Sequence, residues 1–597
     1  MARSRPAAKI GNRYLWPVVP ALVVVAINLY FAVTFQIMKH VVVDPRFSIG
    51  PVFVPAQVFD FLAVYYLALV LVVLQKRPLV ACLVASLLAA TATTAAWVKF
   101  LFLAQGPRFS DLFLLDDVSR GLPLSLSVLV VSIVAFAVAV MLWNFRLRAG
   151  AFAALALAPA AVVGALLVLR SMSGSGAIER LRDNPYQPSA YYGFYLQFAF
   201  SGYERLEAWL YPEEPAAADS GGRFPDFIGA RVPRLDRGNL HVIVVESLID
   251  ATRLGGYRFS RDPFPAWFRR AATESPSAAV APIFGGFSAD AEFEILCGLP
   301  LGLGGTRIVF NNLAPDRIDC LPNKLAAKGW TTQATIATTP HIFSLGRAYP
   351  KIGFQRLISA KDLDAGDLDG RQVSAESMLE QVFRRVEKLE ATGRPYLNYV
   401  VIMAGHFPYV RDRSKRPDVI DVAPADDIVK AYVNAAYYNA AAVERYVGRV
   451  SALDPDATFV IVGDHGPILG PDFHGYRRGG VVGAAEADPA RTNLGVYEVT
   501  LVIARGKALV PVGRVAQFEI PYLVLDALSS GRFCRQNPCP AGNRLIRPIQ
   551  NRVLVAEGRD GPARVCGPGP AASAGDGCGD VDAWRTFYRA RLLGLME

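Results

Sequence analysis

The chain has 597 residues, long enough for several domains, and its mean hydropathy of +0.28 is above that of ordinary soluble proteins. Its 62 Lys and Arg against 52 Asp and Glu leave a net charge of +10. No compact basic motif accompanies that excess, which sets aside nucleic acid as a partner; part of it lies in short loops between apolar runs, where it orients a membrane protein and attracts anionic lipid.

The apolar residues concentrate before about residue 170, and runs at 15–38, 54–75, 79–103, 124–144 and 150–170 are each long enough to cross a bilayer. Five spans are therefore expected, forming a membrane domain over residues 1–170. Arg3, Arg5, Lys9 and Arg13 precede the first run, Lys76 and Arg77 separate the second from the third, and Arg146 and Arg148 the fourth from the fifth. The alternate loops carry mixed charge: Lys39, Asp44 and Arg46 in one, Arg108, Asp111, Asp116, Asp117 and Arg120 in the other. The positive-inside rule places the first set in the cytoplasm, so an odd number of spans delivers everything after Arg170 to the other side. Tyr14, Trp16 and Trp143 suit the interfacial belt. The first run is too long for a cleavable signal peptide and lacks a small-residue cleavage site.

Residues 171–237 read as a connector. Tyr186 to Tyr195 and Tyr203 to Tyr211 are aromatic and amphipathic, suited either to the membrane surface or to packing on a soluble domain. Pro212 to Arg223 reads as a linker.

Over 238–597 the pattern becomes short apolar strands alternating with helical stretches. Strands are expected at His241–Val245, Thr332–Ala337, Leu397–Met403, Thr458–Val462 and Glu498–Ile503, with helices such as Ser374–Leu389 and Asp426–Val450 between them. This implies an α/β domain whose mostly parallel sheet is covered by helices on both faces, with functional groups at the carboxyl ends of its strands. Glu246 follows the first strand, Ala404-Gly405-His406-Phe407-Pro408-Tyr409 the third, and Gly463-Asp464-His465-Gly466 the fourth. Glu246, Asp464 and His465 supply two carboxylates and an imidazole, a hard donor set for Mn²⁺, Mg²⁺ or Zn²⁺. Asp250 and Arg253 lie nearby in sequence and are read as pairing with each other.

In Gly285-Gly286-Phe287-Ser288-Ala289-Asp290-Ala291-Glu292-Phe293, a hydroxyl follows a glycine-permitted turn and precedes a segment, Ala291 to Leu296, that can run as a helix. Ser288 near a helix N-terminus is either an ordinary cap or a nucleophile whose developing anion the helix favours. Six of the seven cysteines follow residue 290, the seventh being Cys82 in a membrane run. An even set on one side of the membrane reads as disulfides, and close spacing suggests Cys534–Cys539 and Cys566–Cys578, leaving Cys297 with Cys320.

Four short motifs together resemble the lipoteichoic acid synthase family of membrane phosphotransferases, within the sulfatase-like alkaline phosphatase superfamily. They are Val244-Val245-Glu246-Ser247, Ser288-Ala289-Asp290-Ala291-Glu292-Phe293, His406-Phe407-Pro408-Tyr409 and Gly463-Asp464-His465-Gly466. The resemblance implies that Glu246, Asp464 and His465 bind one metal, usually manganese, with Ser288 as a further ligand and the nucleophile, and His406 against the transferred phosphoryl group. Serine here replaces the family's usual threonine. In His341-Ile342-Phe343-Ser344-Leu345-Gly346-Arg347, Phe343 and Arg347 stand in for the family's substrate-pocket Trp and Arg. His474 and Arg347 are secondary candidates for phosphate contacts. The arginine of the formylglycine motif is missing after Ser288, which disfavours sulfate ester hydrolysis. The implied activity is transfer of a phospholipid headgroup, best glycerophosphate from phosphatidylglycerol, to an envelope glycan or glycolipid at the outer face of a bacterial inner membrane. The alternatives are phosphoethanolamine transfer to lipid A or a glycan, and an inactive scaffold in envelope assembly.

Overall fold

A computed structural model describes residues 16–27, 29–30, 53–75, 77–103, 124–143, 145, 164, 167, 194–210, 224–236, 238–303, 310, 313–470, 473–483, 492–540, 544–549, 552–559, 561–566, 578 and 580–595. The chain divides into two compact units, Met1–Glu213 and Glu214–Glu597.

In the first unit the apolar runs form helices α1 (Phe53–Leu74), α2 (Pro78–Leu103) and α3 (Leu124–Trp143), followed by α4 (Phe194–Leu210). Pro78 opens α2 at a position where its missing N–H costs nothing. Among the described residues one helix, Pro78–Ala96, is long and apolar enough to cross a membrane; Val18–Ile27 and Val58–Leu74 are shorter apolar helices. Most of the expected run at 150–170 lies outside the described residues, as do the segment from Tyr186 to Gly193 and the linker from Pro212 to Arg223. Helix α4 runs through Tyr195 and Tyr203 to Leu210 and so takes in most of the second expected aromatic segment. Its first turn is tied to α1, where buried Asp60 accepts the Leu196 N–H at 2.9 Å. A carboxylate at a helix N-terminus satisfies an orphan donor and opposes the dipole.

The second unit is built on a nine-stranded sheet. Its strands are β1 (Leu240–Val245), β2 (Ser277–Val280), β3 (Thr331–Ile336), β4 (Arg356–Ile358), β5 (Tyr396–Ile402), β6 (Thr458–Gly463), β7 (Glu498–Arg505), β8 (Ala508–Leu509) and β9 (Gly513–Ala516). They lie in the order β9-β2-β7-β6-β1-β5-β3-β4, with β8 paired to β7. Every residue of β1, β5 and β6 is buried, as expected of near-continuous apolar runs covered on both faces. β1 pairs in parallel with both β6 and β5, Leu240 facing Thr458 on one side and Leu397 on the other. The segments leaving β5, β1 and β6 therefore emerge side by side, and these carry His406, Glu246 and Asp464-His465.

The sheet is mixed at one side: β7, expected as one of the parallel set, runs antiparallel to β6 and to β2. Beyond it, β10 (Arg544–Ile549), β11 (Arg552–Glu557) and β12 (Ala563–Cys566) form a separate antiparallel sheet that the strand pattern did not reveal. This C-terminal sheet is joined to the helix that begins at Ser288, α5 (Ser288–Cys297), by a fully buried ion pair. Arg547 Nη1 donates to Glu294 Oε2 at 2.7 Å, and Nη2 donates to the other carboxyl oxygen. Glu294 also accepts the Leu301 N–H at 2.6 Å. All three expected disulfides are formed, Cys297–Cys320, Cys534–Cys539 and Cys566–Cys578, with Cys82 free and buried. The first fastens the last residue of α5 to the residue preceding a following helix.

Removing one partner of a buried ion pair strands the other charge without solvent. Arg547→Met should lower the unfolding free energy by about 3–5 kcal/mol, whereas Arg547→Met with Glu294→Leu should recover most of that loss. Denaturant unfolding followed by near-ultraviolet circular dichroism checks both.

Candidate metal centre and nucleophile

Glu246, Asp464 and His465 each present a ligand atom, all within 4.8 Å of one another, and all three residues are buried. His465 Nε2 lies 3.6 Å from Glu246 Oε1 and 3.4 Å from Asp464 Oδ2. Other contacts occupy the outward atoms of these groups. Asp464 Oδ1 accepts the Ser247 N–H at 2.7 Å and the His465 N–H at 2.8 Å, and Ser247 Oγ donates to Glu246 Oε1 at 2.7 Å. His465 Nδ1 faces the Gly466 carbonyl at 3.2 Å, which can only accept, so this contact assigns a proton to Nδ1 and leaves Nε2 turned toward the two carboxylates. Glu246 Oε2 and His465 Nε2 are buried with no hydrogen-bond partner among the described residues.

Burial raises the Glu246 pKa, and the charge of Asp464 raises it further. Two buried carboxylates at this distance repel unless a cation lies between them. Two orphaned ligand atoms, an imidazole nitrogen and hard carboxylate oxygens therefore fit a divalent cation, without distinguishing Mn²⁺ from Zn²⁺ or Mg²⁺.

The backbone around this cluster is closely packed. A Cβ on Gly463 would meet the Leu248 carbonyl oxygen at 2.4 Å, and one on Gly466 the Val496 carbonyl oxygen at 2.3 Å, so the Asp-His pair requires glycine on both sides. Gln517 Nε2 donates to the carbonyls of Gly463 at 2.7 Å and Asp464 at 3.1 Å. Ser247 and Gln517 thus orient the cluster; the first is at least adjacent to Glu246 in sequence, whereas nothing in the chain pattern marks the second.

Ser288 is the first residue of α5 and is buried; the left-handed Phe287 precedes it and makes no side-chain cap. The turn leading to Ser288 is bonded to the loop carrying the metal-site histidine, with Phe284 bridged to Gly466 and the Gly285 N–H donating to the Gly466 carbonyl at 3.2 Å. All ten residues of α5 are buried, so each polar side chain on it must find an internal partner. Glu292 finds two: Tyr349 and Tyr399 both donate to its Oε2, the latter at 3.0 Å. Burial pushes the Glu292 carboxyl up to about 7.

The ring of His406 is exposed, and the charge of Glu246 raises its pKa. Phe343 is half-buried, with left-handed backbone at φ 54°, and Arg347 is exposed on the helix Leu345–Ile352. His474 stands apart from the metal cluster, with Nε2 3.5 Å from Asp426 Oδ2, an oxygen that also accepts from Tyr257 at 2.7 Å. Asp250 and Arg253 do not pair: Asp250 binds Arg269 at 2.7 Å and caps the following turn, while Arg253 reaches Glu498 at 3.1 Å. The three-residue turn between them points the two side chains at partners from other elements. Of the eight non-glycine residues with positive φ among those described, six flank the motif loops: Ser247, Phe287, Phe343, Ser344, Tyr409 and Phe473. Such conformations persist only where the surroundings impose them, and they concentrate at functional sites.

Residues 239–505 match the sulfatase family model, in keeping with the resemblance carried by the four motifs. Two curated relatives come from Rhizobium meliloti (strain 1021). One is a putative cyclic β-1,2-glucan modification protein, 25% identical over 45% of this chain and 42% of its own length. The other is the capsular polysaccharide biosynthesis protein RkpI, 28% identical over 25% of this chain and 26% of its own. The chain thus spans less than half the length of the curated relatives it matches. Among solved structures it is similar to the lipoteichoic acid synthase LtaP of Listeria monocytogenes, with TM-score 0.45 and 14% identity over 62% of this chain and 95% of that one. It is also similar to the lipooligosaccharide phosphoethanolamine transferase EptA of Neisseria meningitidis, with TM-score 0.43 and 12% identity over 87% of this chain and 95% of that one.

Metal analysis of purified variants separates the roles of these residues. Asp464→Ala or His465→Ala should lose both metal and turnover, and Ser247→Ala should weaken metal affinity by about 10–100-fold. Ser288→Ala should abolish turnover and keep most of the metal. Glu292 provides a pH test. Its pKa rises on folding from 4.5 to about 7, so its contribution to stability is complete below 4.5 and is lost as pH climbs through about 7. Glu292→Gln should flatten that part of the stability–pH curve, read as unfolding midpoints at about pH 5 and about pH 8.

Proposed function

We propose that this protein is a metal-dependent phosphotransferase that moves a phospholipid headgroup, glycerophosphate from phosphatidylglycerol, onto an envelope glycan or glycolipid through a covalent intermediate on Ser288. The observation that carries this reading is the buried Glu246–Asp464–His465 cluster, with two orphaned donor atoms, bonded through Gly466 to the turn that presents Ser288. A divalent cation held by these three residues would neutralise phosphodiester charge and lower the cost of the serine alkoxide. Ser288 Oγ then bonds to phosphorus as the phosphorus–oxygen bond to diacylglycerol breaks, and the serine proton ends on the diacylglycerol hydroxyl. In the second half an acceptor hydroxyl attacks the same phosphorus, the bond to Ser288 breaks, and the acceptor's proton returns to the serine. His406 would relay those protons, a role supported by its exposure and by the charge of Glu246, which makes it more basic.

The placement belongs to the proposal as well. Five spans and the loop charges favour a multi-pass protein of a bacterial inner membrane with its catalytic domain on the periplasmic side, and three disulfides suit an oxidising compartment. A domain tethered beside the membrane reaches a lipid headgroup without extracting the lipid. The names of the two curated relatives, one for glucan modification and one for capsular polysaccharide synthesis, favour a glycan acceptor.

Incubation with phosphatidylglycerol vesicles should leave glycerophosphate on Ser288 and release diacylglycerol, read by mass spectrometry of the active-site peptide. A phosphoethanolamine adduct from phosphatidylethanolamine instead would move the assignment to that headgroup. No adduct from either lipid, with Ser288→Ala matching wild type in the cell, would leave a scaffold.

A further inference from the structure

Glu292 lies four residues after Ser288 on α5, so the two side chains share one face of that helix. Its Oε2 accepts from Tyr349, which belongs to the helix Leu345–Ile352, and from Tyr399, in the middle of β5. One carboxyl oxygen therefore joins the helix that begins with the nucleophile, the strand that leads to His406, and the segment that carries the strained pair Phe343 and Ser344. Aromatic rings close the surroundings: Tyr349 lies 6.2 Å from Tyr399 and 5.0 Å from Phe354, and Phe354 lies 5.4 Å from Tyr399. Glu292 is 2% exposed. A carboxyl group in an aromatic core is costly, and an apolar residue of similar volume would fill the space at less cost. Its two directional bonds supply what an apolar residue lacks, a fixed rotation of α5 about its own axis.

We propose that Glu292 is a positioning residue that locks the Ser288 hydroxyl in line with the metal cluster by tying α5 to Tyr349 and Tyr399. The inference rests on the phosphoryl-transfer reading only in taking Ser288 as the nucleophile; it does not depend on which lipid is the donor. The full-length protein loaded with Mn²⁺ is assayed with the soluble diester bis(p-nitrophenyl) phosphate, alongside metal content and unfolding midpoint. A loss of alignment near 1 Å is worth about a hundredfold in rate, so Glu292→Leu should lower kcat by about that factor with KM and metal content little changed. Glu292→Gln keeps an acceptor oxygen for both tyrosines and should restore kcat to within about threefold of wild type. The double variant Tyr349→Phe with Tyr399→Phe should lower kcat as Glu292→Leu does, by removing the same two bonds. A lowered unfolding midpoint with kcat per folded molecule unchanged in Glu292→Leu would make the residue merely structural and overturn the proposal. Turnover of the diester but of neither lipid would remove the lipid-donor reading while the kcat comparison still decides the role of Glu292. No turnover of any phosphodiester by wild type would overturn both.

Discussion

Two like charges held side by side out of water are the constraint on which the rest of the second unit depends. At the separations found for Glu246 and Asp464, repulsion in a poorly solvated setting far exceeds what a surface pair would feel. The chain meets that constraint by geometry. Both carboxylates sit immediately beyond neighbouring parallel strands, so the sheet's own hydrogen bonds fix their spacing before any ligand arrives. Their outward oxygens accept from Ser247 and from backbone N–H groups, and the imidazole of His465 turns Nε2 the same way as the remaining oxygens. Left-handed Ser247 and the two glycines around Asp464-His465 are the conformational cost of aiming the backbone at that point. A cluster of this kind is organised largely by atoms on its outer side, away from the point its free ligand atoms face.

Chemistry follows from where the second element enters. The turn before Ser288 is bonded to the same Gly466 carbonyl that His465 Nδ1 faces, so Ser288 and the cluster share a common reference. α5 then runs wholly inside the protein, and two of its three buried carboxyl groups anchor to different parts of the fold: Glu292 to the central sheet and the Leu345–Ile352 helix, Glu294 to the C-terminal sheet. The helix is held by directional polar contacts at successive turns and by a disulfide at its end.

Much of this could be read from the chain. The fully buried strands are near-continuous apolar runs, and within four residues of each one's end stands a polar group that an apolar strand does not call for; that contrast marks Glu246, His406 and Asp464-His465. The glycines around Asp464-His465 point the same way, because only a close approach excludes a side chain. The rest was hidden where the deciding partner is distant in sequence. β7 has the apolar composition of its neighbours, and only its pairing shows that it runs antiparallel. Asp250 and Arg253 are close in the chain but answer to Arg269 and Glu498. Gln517, Tyr349 and Tyr399 have ordinary local surroundings, and their roles exist only once strands and helices from other regions pack against them. The C-terminal strands are short and interrupted by charged residues such as Arg544, Arg547 and Arg552, which weakens the alternation that would announce them.

The buried pair between Glu294 and Arg547 also bears on where the catalytic unit ends. Family resemblance stops at residue 505, but the charge that neutralises Glu294 arrives forty-two residues later, on β10. A fragment cut at the limit of resemblance would keep every motif and yet leave a carboxylate within the helix that begins at Ser288 facing an empty, dry space. Sequence likeness delimits what relatives share; electrostatic closure delimits what can stand alone, and in this chain the second boundary lies well beyond the first.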